Sequence, residues 1–65
     1  MRVTTWQARH NKNITLVELA AMTGLSRSTL NNIENEKTSP TLDELELIAK
    51  ALDTTITSLF ESEYK

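Results

Sequence analysis

Apolar residues recur along this chain at three- and four-residue steps, interrupted at a few polar junctions, and the pattern predicts five short helices. Val3, Trp6 and His10 share a helical period in a first segment from about Thr4 to Asn11. Asn13, which tolerates a left-handed backbone, closes it. A second segment opens at Thr15, where Thr15-Leu16-Val17-Glu18 fits a capping box: the hydroxyl serves the amide three residues on, and the carboxylate reaches back. Leu16, Leu19, Ala20 and Thr23 share one face of it. The small Ala20 allows close helix approach, and Gly24 supplies the permissive backbone for a sharp turn. Ser26 caps a third segment in which Leu30 and Ile33 face inward. Asn35 to Pro40 read as a loop, because proline turns Ser39 away from helical geometry. Thr41-Leu42-Asp43-Glu44 is a second capping box, and Leu42, Leu45, Ile48, Ala49 and Leu52 form the strongest apolar stripe. Asp53, Thr54 and Thr55 break that stripe. Ile56, Leu59 and Phe60 predict a short fifth helix, and Glu61 to Lys65 a frayed or partner-serving end.

The expected fold is all-α: one compact five-helix domain over residues 1–65, with its body at about 3–61. The second and third helices form a helix-turn-helix. Its expected core is Trp6, Ile14, Leu19, Ala20, Leu25, Leu30, Ile33, Leu42, Leu45, Ile48, Leu52, Ile56, Leu59 and Phe60.

Composition narrows the chemistry. With 65 residues there is chain for one modest core, and no cysteine is present to staple it or to hold a thiolate-bound metal. The single histidine, His10, cannot build a zinc site alone, so neither a metal nor a cofactor is expected. No apolar run is long enough to span a bilayer and no leader pattern is present, which reads as a cytoplasmic chain with no membrane partner. An enzyme is not expected: there is no nucleophile–base pair, phosphate loop or metal cluster, and a chain this small offers little pocket for a small-molecule ligand.

The net charge of −2 argues against nucleic acid until its distribution is considered. Residues 1–33 carry four basic side chains against one acidic, a net of +3. Residues 34–65 carry three against eight, a net of −5. Such a field turns one face toward phosphates and the other away, unless the acidic half is simply a solvated tail.

The third segment holds the residues suited to reading DNA. The planar fork of Arg27 pairs with guanine O6 and N7, Ser28 and Thr29 bond to base or phosphate, and Asn32 suits adenine. Asn31 also points away from the core and joins this set. Each of these residues also fits an ordinary solvated helix face; behind a capped start and a glycine turn, the set together points to base readout. At the rim, free amides near Thr15 and Leu16, and the side chains of Asn35, Lys37 and Thr38, are placed for phosphate. Arg9 and Glu34 have a structural reading, a salt bridge that orients the loop after the third helix, and an alternative in which Arg9 touches phosphate itself. Trp6 reads as core rather than as a base-stacking platform, and His10 as a surface residue.

These residues resemble the lambda-repressor-like helix-turn-helix family of the Cro and repressor type. The matching stretches are Ile14-Thr15, Glu18-Leu19-Ala20, the run from Thr23 to Leu30, Ile33-Glu34-Asn35, the run from Lys37 to Leu42, then Leu45, the run from Ile48 to Leu52, and Leu59-Phe60. The resemblance implies a five-helix DNA-binding domain that dimerises on a pseudo-palindromic operator. It implies base readout at Arg27, Ser28, Thr29 and Asn32, phosphate contacts at Asn35, Lys37 and Thr38, and an Arg9–Glu34 pair. Leu16 departs from the glutamine common after the second-helix cap, which removes a polar contact. Glu36 departs from a common glycine and adds negative charge near the phosphate rim. Glycine is also common at Asn13 and Asp53.

The leading functional expectation is therefore a sequence-specific regulator, a repressor in the first instance, acting as a homodimer on double-stranded DNA. A C-terminal face with Leu47, Thr57, Leu59 and Tyr64 is the candidate dimer surface. The alternative is a protein-interaction module whose acidic half docks a basic partner.

Overall fold

Side-chain caps decide where the helices begin. In the computed structural model, which describes residues 1–65, Thr15 and Thr41 each accept a hydrogen bond from the amide of the glutamate three residues on, Glu18 and Glu44. Both glutamates return a carboxylate to the cap amide, at 2.8 and 2.9 Å. These two boxes start α2 (Leu16–Thr23) and α4 (Leu42–Ala51). Ser26 caps α3 (Arg27–Glu34) through the Thr29 amide at 3.0 Å. Before them come a two-residue strand β1 (Arg2–Val3) and α1 (Thr5–Asn11). The chain turns left-handed at Asn13, Gly24, Glu36 and Asp53, in four different connections.

The expected fifth helix is not an α-helix. Ile56–Leu59 makes a single 3-10 turn, and the chain then extends into β2 (Phe60–Glu61), antiparallel to β1 with Arg2 opposite Glu61 and Val3 opposite Phe60. The fold is thus four α-helices, one 3-10 turn and a small strand pair. The cause is local and non-local together. Thr54, Thr55, Ile56 and Thr57 are β-branched and hold four residues poorly as an isolated helix. The start of the chain offers partners instead: the Thr4 amide donates to the Leu59 carbonyl at 2.8 Å, and Thr4 Oγ1 to the Ser58 carbonyl at 3.0 Å.

The core lies between α2, α3, α4 and the 3-10 turn: Leu19, Leu30, Ile33, Leu45, Ile48, Ala49, Leu52 and Leu59. Ile14, Leu16, Ala20, Leu25, Ile56 and Phe60 pack against it half-buried. Two expected core members lie outside it. Leu42 is 73% exposed, because it is the first residue of α4 and precedes the turn that meets the core. Trp6 is 48% exposed and stacks on His10 one turn on, with ring centroids 3.8 Å apart. Helix α1 instead turns Thr5 and Arg9 inward.

Thr5 is 1% exposed, and its Oγ1 has no hydrogen-bond partner. A buried hydroxyl that exchanges water for nothing destabilises the folded state, whereas a methyl of similar size does not. Thr5→Val is therefore expected to stabilise the domain by about 1 kcal/mol, which raises Tm by roughly 4–8 °C in a domain of this size. An unchanged or lower Tm would show that the hydroxyl is satisfied in solution.

Candidate nucleic-acid interface

The turn between α2 and α3 is built by four successive residues, Thr23 to Ser26. Thr23 is buried, and its hydroxyl donates to the Leu19 carbonyl at 2.8 Å while accepting the Leu25 amide at 3.2 Å. Gly24 follows at φ +77°. A Cβ there would meet nothing within 4 Å, so glycine is needed for its backbone conformation and not for space. Leu25 then packs on the core and Ser26 caps α3. The helix-turn-helix angle is thus set by side chains within the turn.

On α3, Leu30 and Ile33 face the core. Ser28, Asn31, Asn32 and Asn35 centre on the opposite face by helical spacing, with Arg27 and Thr29 at its two edges. Arg27, Ser28, Asn31 and Asn35 are exposed, and Asn32 and Thr29 are half-buried. Thr29 is partly committed to the cap, since Ser26 Oγ donates to its hydroxyl at 2.9 Å. Asn31 is linked along the helix, its Oδ1 accepting from Asn35 Nδ2 at 3.1 Å. Arg27 makes no ion pair with any carboxylate of the chain.

The candidate rim residues lie in two places, the start of α2 and the loop after α3. At one, Thr15 and Leu16 open α2; the Thr15 amide is already held by Glu18, and the Leu16 side chain is half-buried against the core. The capping bonds from Thr15 hold the Glu18 carboxyl below the usual glutamate range, its backbone amide first and its hydroxyl second. At the other, Asn35, Lys37 and Thr38 follow α3, all exposed. The candidate residues on α3 continue directly into those of the loop after it, whereas Thr15 and Leu16 lie at the far end of α2 from the turn that joins it to α3.

Arg9 and Glu34 form an ion pair, and both side chains are largely removed from solvent, 10% and 5% exposed. Arg9 Nε donates to Glu34 Oε2 at 2.7 Å and Nη2 to Oε1 at 2.9 Å, a planar two-point contact. Its third donor, Nη1, reaches the Ile14 carbonyl at 2.9 Å. The hydrogen bond to Glu34 raises the Arg9 pKa, against the opposing effect of burial. One guanidinium thus ties the end of α1, the entry to α2 and the end of α3. With all of these donors directed inward, Arg9 is not free for phosphate.

Beside that pair, Glu36 holds φ at +57°, a conformation that costs a non-glycine residue roughly 1–2 kcal/mol. Glu36→Gly is expected to stabilise the domain by about 1 kcal/mol. It also removes one negative charge from the loop that holds Lys37, so affinity for generic duplex DNA at low salt is expected to rise. Stabilisation without tighter binding would place this loop away from phosphate.

Sequence reasoning did not find the burial of Thr5, or the hydrogen bond between Asn31 and Asn35. For the second a signal existed, since two amides four residues apart on one helix face can meet.

The helix-turn-helix family model HTH_3 matches residues 7–59. Among solved structures, the chain is similar to an HTH_3 family transcriptional regulator from Vibrio cholerae, at 30% identity and a TM-score of 0.78. That match covers 83% of this chain and 30% of the other, so the chain spans under a third of that regulator. It is also similar to the N-terminal DNA binding domain of SinR from Bacillus subtilis, at 29% identity and a TM-score of 0.81, covering 94% of this chain and 90% of that one. No curated protein matches the sequence.

Proposed function

We propose, for a chain that belongs to the HTH_3 helix-turn-helix family, that it binds double-stranded DNA and regulates transcription by laying α3 in the major groove. The observation that carries this reading is the first turn of α3. Helices α2 and α4 both begin with carboxylates that complement the helix dipole and close a capping box. Helix α3 has no acidic residue in its first turn, no carboxylate to complete its box, and an exposed, unpaired Arg27 at its first position. A cation there works against the helix dipole, so folding alone does not favour it. A local rule broken without structural gain marks a functional position. Arg27 reads guanine, Ser28 and Thr29 contact base or phosphate, and Asn31 and Asn32 read the next bases. Asn35, Lys37, Thr38 and the opening of α2 hold the phosphates on either side, and the Arg9–Glu34 pair fixes the angle at which the loop presents them.

In this reading the chain acts as a repressor, as a homodimer on a pseudo-palindromic operator, in the cytoplasm; no helix is long and apolar enough to cross a membrane. The salt dependence of binding tests it. With several phosphates neutralised, log Kobs should fall linearly with log salt at a slope of roughly −0.9 per phosphate contact. A slope near zero contradicts phosphate-led binding. A second reading rests on α4, where Leu42 and Leu47 are 73% and 40% exposed beside Asp43 and Glu46: a face for a basic protein partner. Arg27→Ala separates the two, because protein docking through α4 survives it.

A further inference from the structure

Helix α4 carries charges that it does not satisfy by itself. Asp43, Leu47 and Lys50 are exposed, Leu47 to 40%. By helical spacing Asp43 and Lys50 lie about 40° and 60° from Leu47, on the same side of it. They are two turns apart, about 10 Å along the axis, too far to pair with each other. The ion pairs of the chain are Arg9–Glu34 and Lys65–Glu61, so Lys50 also leaves Glu46, one turn earlier, unpaired. Glu46 and Leu42 lie about 100° and 140° round from Leu47, outside this strip. On the other flank of Leu47 stands Ala51, half-buried and small enough for a second helix to come close.

A strip that runs acid, leucine, base is complementary to its own reverse. Set antiparallel, Asp43 of each copy meets Lys50 of the other, and the two-fold axis passes between Glu46 and Leu47. The two Leu47 side chains then meet beside the axis, with one bridge at either end of the contact. We infer that α4 is the contact between two copies of this chain, packed antiparallel about Leu47 with reciprocal Asp43–Lys50 bridges. This rests on the homodimer proposed above and gives it a surface; it needs no DNA. Leu59, expected on that surface, is fully buried. Two helix faces of ten residues make a small contact, below the roughly 1,200 Å² of stable complexes, so the dimer is weak in free solution.

Sedimentation equilibrium of the full chain without DNA, at concentrations up to about 1 mM, tests this. The wild type should self-associate, less so as salt screens the bridges. Asp43→Lys and Lys50→Asp, each checked for folding by circular dichroism, set like charges opposite one another and should weaken association by about tenfold or more. Mixed one to one, they should associate as the wild type does, because both bridges re-form between unlike chains. The first variant is neutral overall and the second more acidic than the wild type, so bulk attraction does not produce that recovery. Leu47→Glu should abolish association, and at an exposed position it decides the matter if a reversal fails to fold. A wild type that stays monomeric at about 1 mM overturns the inference and leaves α4 to a basic protein partner. A mixture of folded reversals that stays monomeric, or association that survives Leu47→Glu, overturns it equally. None of these outcomes bears on DNA binding by α3.

Discussion

Replacing Arg9 by alanine is expected to cost about 3–5 kcal/mol of folding stability, a large part of what a domain of this length possesses. The size follows from what is left behind. Glu34 would remain 5% exposed with its charge unpaired, and the Ile14 carbonyl would lose its donor. Domains of this kind have on the order of 0.05–0.15 kcal/mol per residue, about 3–10 kcal/mol for this chain, so Arg9→Ala should lose from about a third to all of its stability and unfold at a much lower urea concentration. Glu34→Ala should behave alike, since it strands the guanidinium. Arg9→Met with Glu34→Leu should recover much of the loss, because a buried ion pair is costly to break but cheaply exchanged for apolar packing. Urea denaturation followed by circular dichroism measures all three. Single variants within about 1 kcal/mol of the wild type would show that the pair is solvated and that the α1–α3 connection is held by apolar contacts.

Arg27→Ala is expected to act in the opposite way, on binding and not on folding. The side chain is exposed and unpaired, and its removal takes a cation from the start of a helix dipole. Stability should therefore rise slightly, by about 0.3–1 kcal/mol. Affinity for the preferred duplex should fall by about 1–3 kcal/mol, a loss of roughly 5- to 150-fold, and preference should disappear at one base pair of each half-site. Titration of labelled duplexes that vary at that pair checks it. A uniform loss across all sequences would instead make Arg27 a phosphate contact, with the salt slope reduced by about one.

Much of this fold is legible because its signals are local. Thr15 with Glu18, Gly24, Ser26, and Thr41 with Glu44 mark helix boundaries through chemistry within one turn, and α2, α3 and α4 begin where those residues place them. The strand pair is different. Two-residue strands carry no periodic pattern, and Arg2–Val3 finds Phe60–Glu61 only after the chain has closed on itself. The apparent fifth helix follows from the same fact, since apolar spacing at Ile56, Leu59 and Phe60 suits a turn leading into a strand as well as it suits a helix. Trp6 misleads because hydrophobicity ranks it above arginine. Arg9 takes the inward position only because Glu34, 25 residues away, neutralises it.

The candidate site divides along the same line. Residue types on α3 and its cap are visible in one dimension, and so is a possible partnership of Arg9 with Glu34. The geometry that closes Arg9 off from phosphate and commits Thr29 to the cap depends on side-chain hydrogen bonds that spacing alone does not specify.

Selection of bound duplexes from a randomised double-stranded pool at low salt, with sequencing of the bound fraction, tests the central claim most directly. The expected result is an enriched pair of inverted half-sites with centres about one helical turn apart, roughly 10 base pairs, as a dimer placing two α3 helices in successive major grooves requires. Protein that is folded by circular dichroism yet returns the pool unenriched would contradict sequence-specific DNA binding by α3.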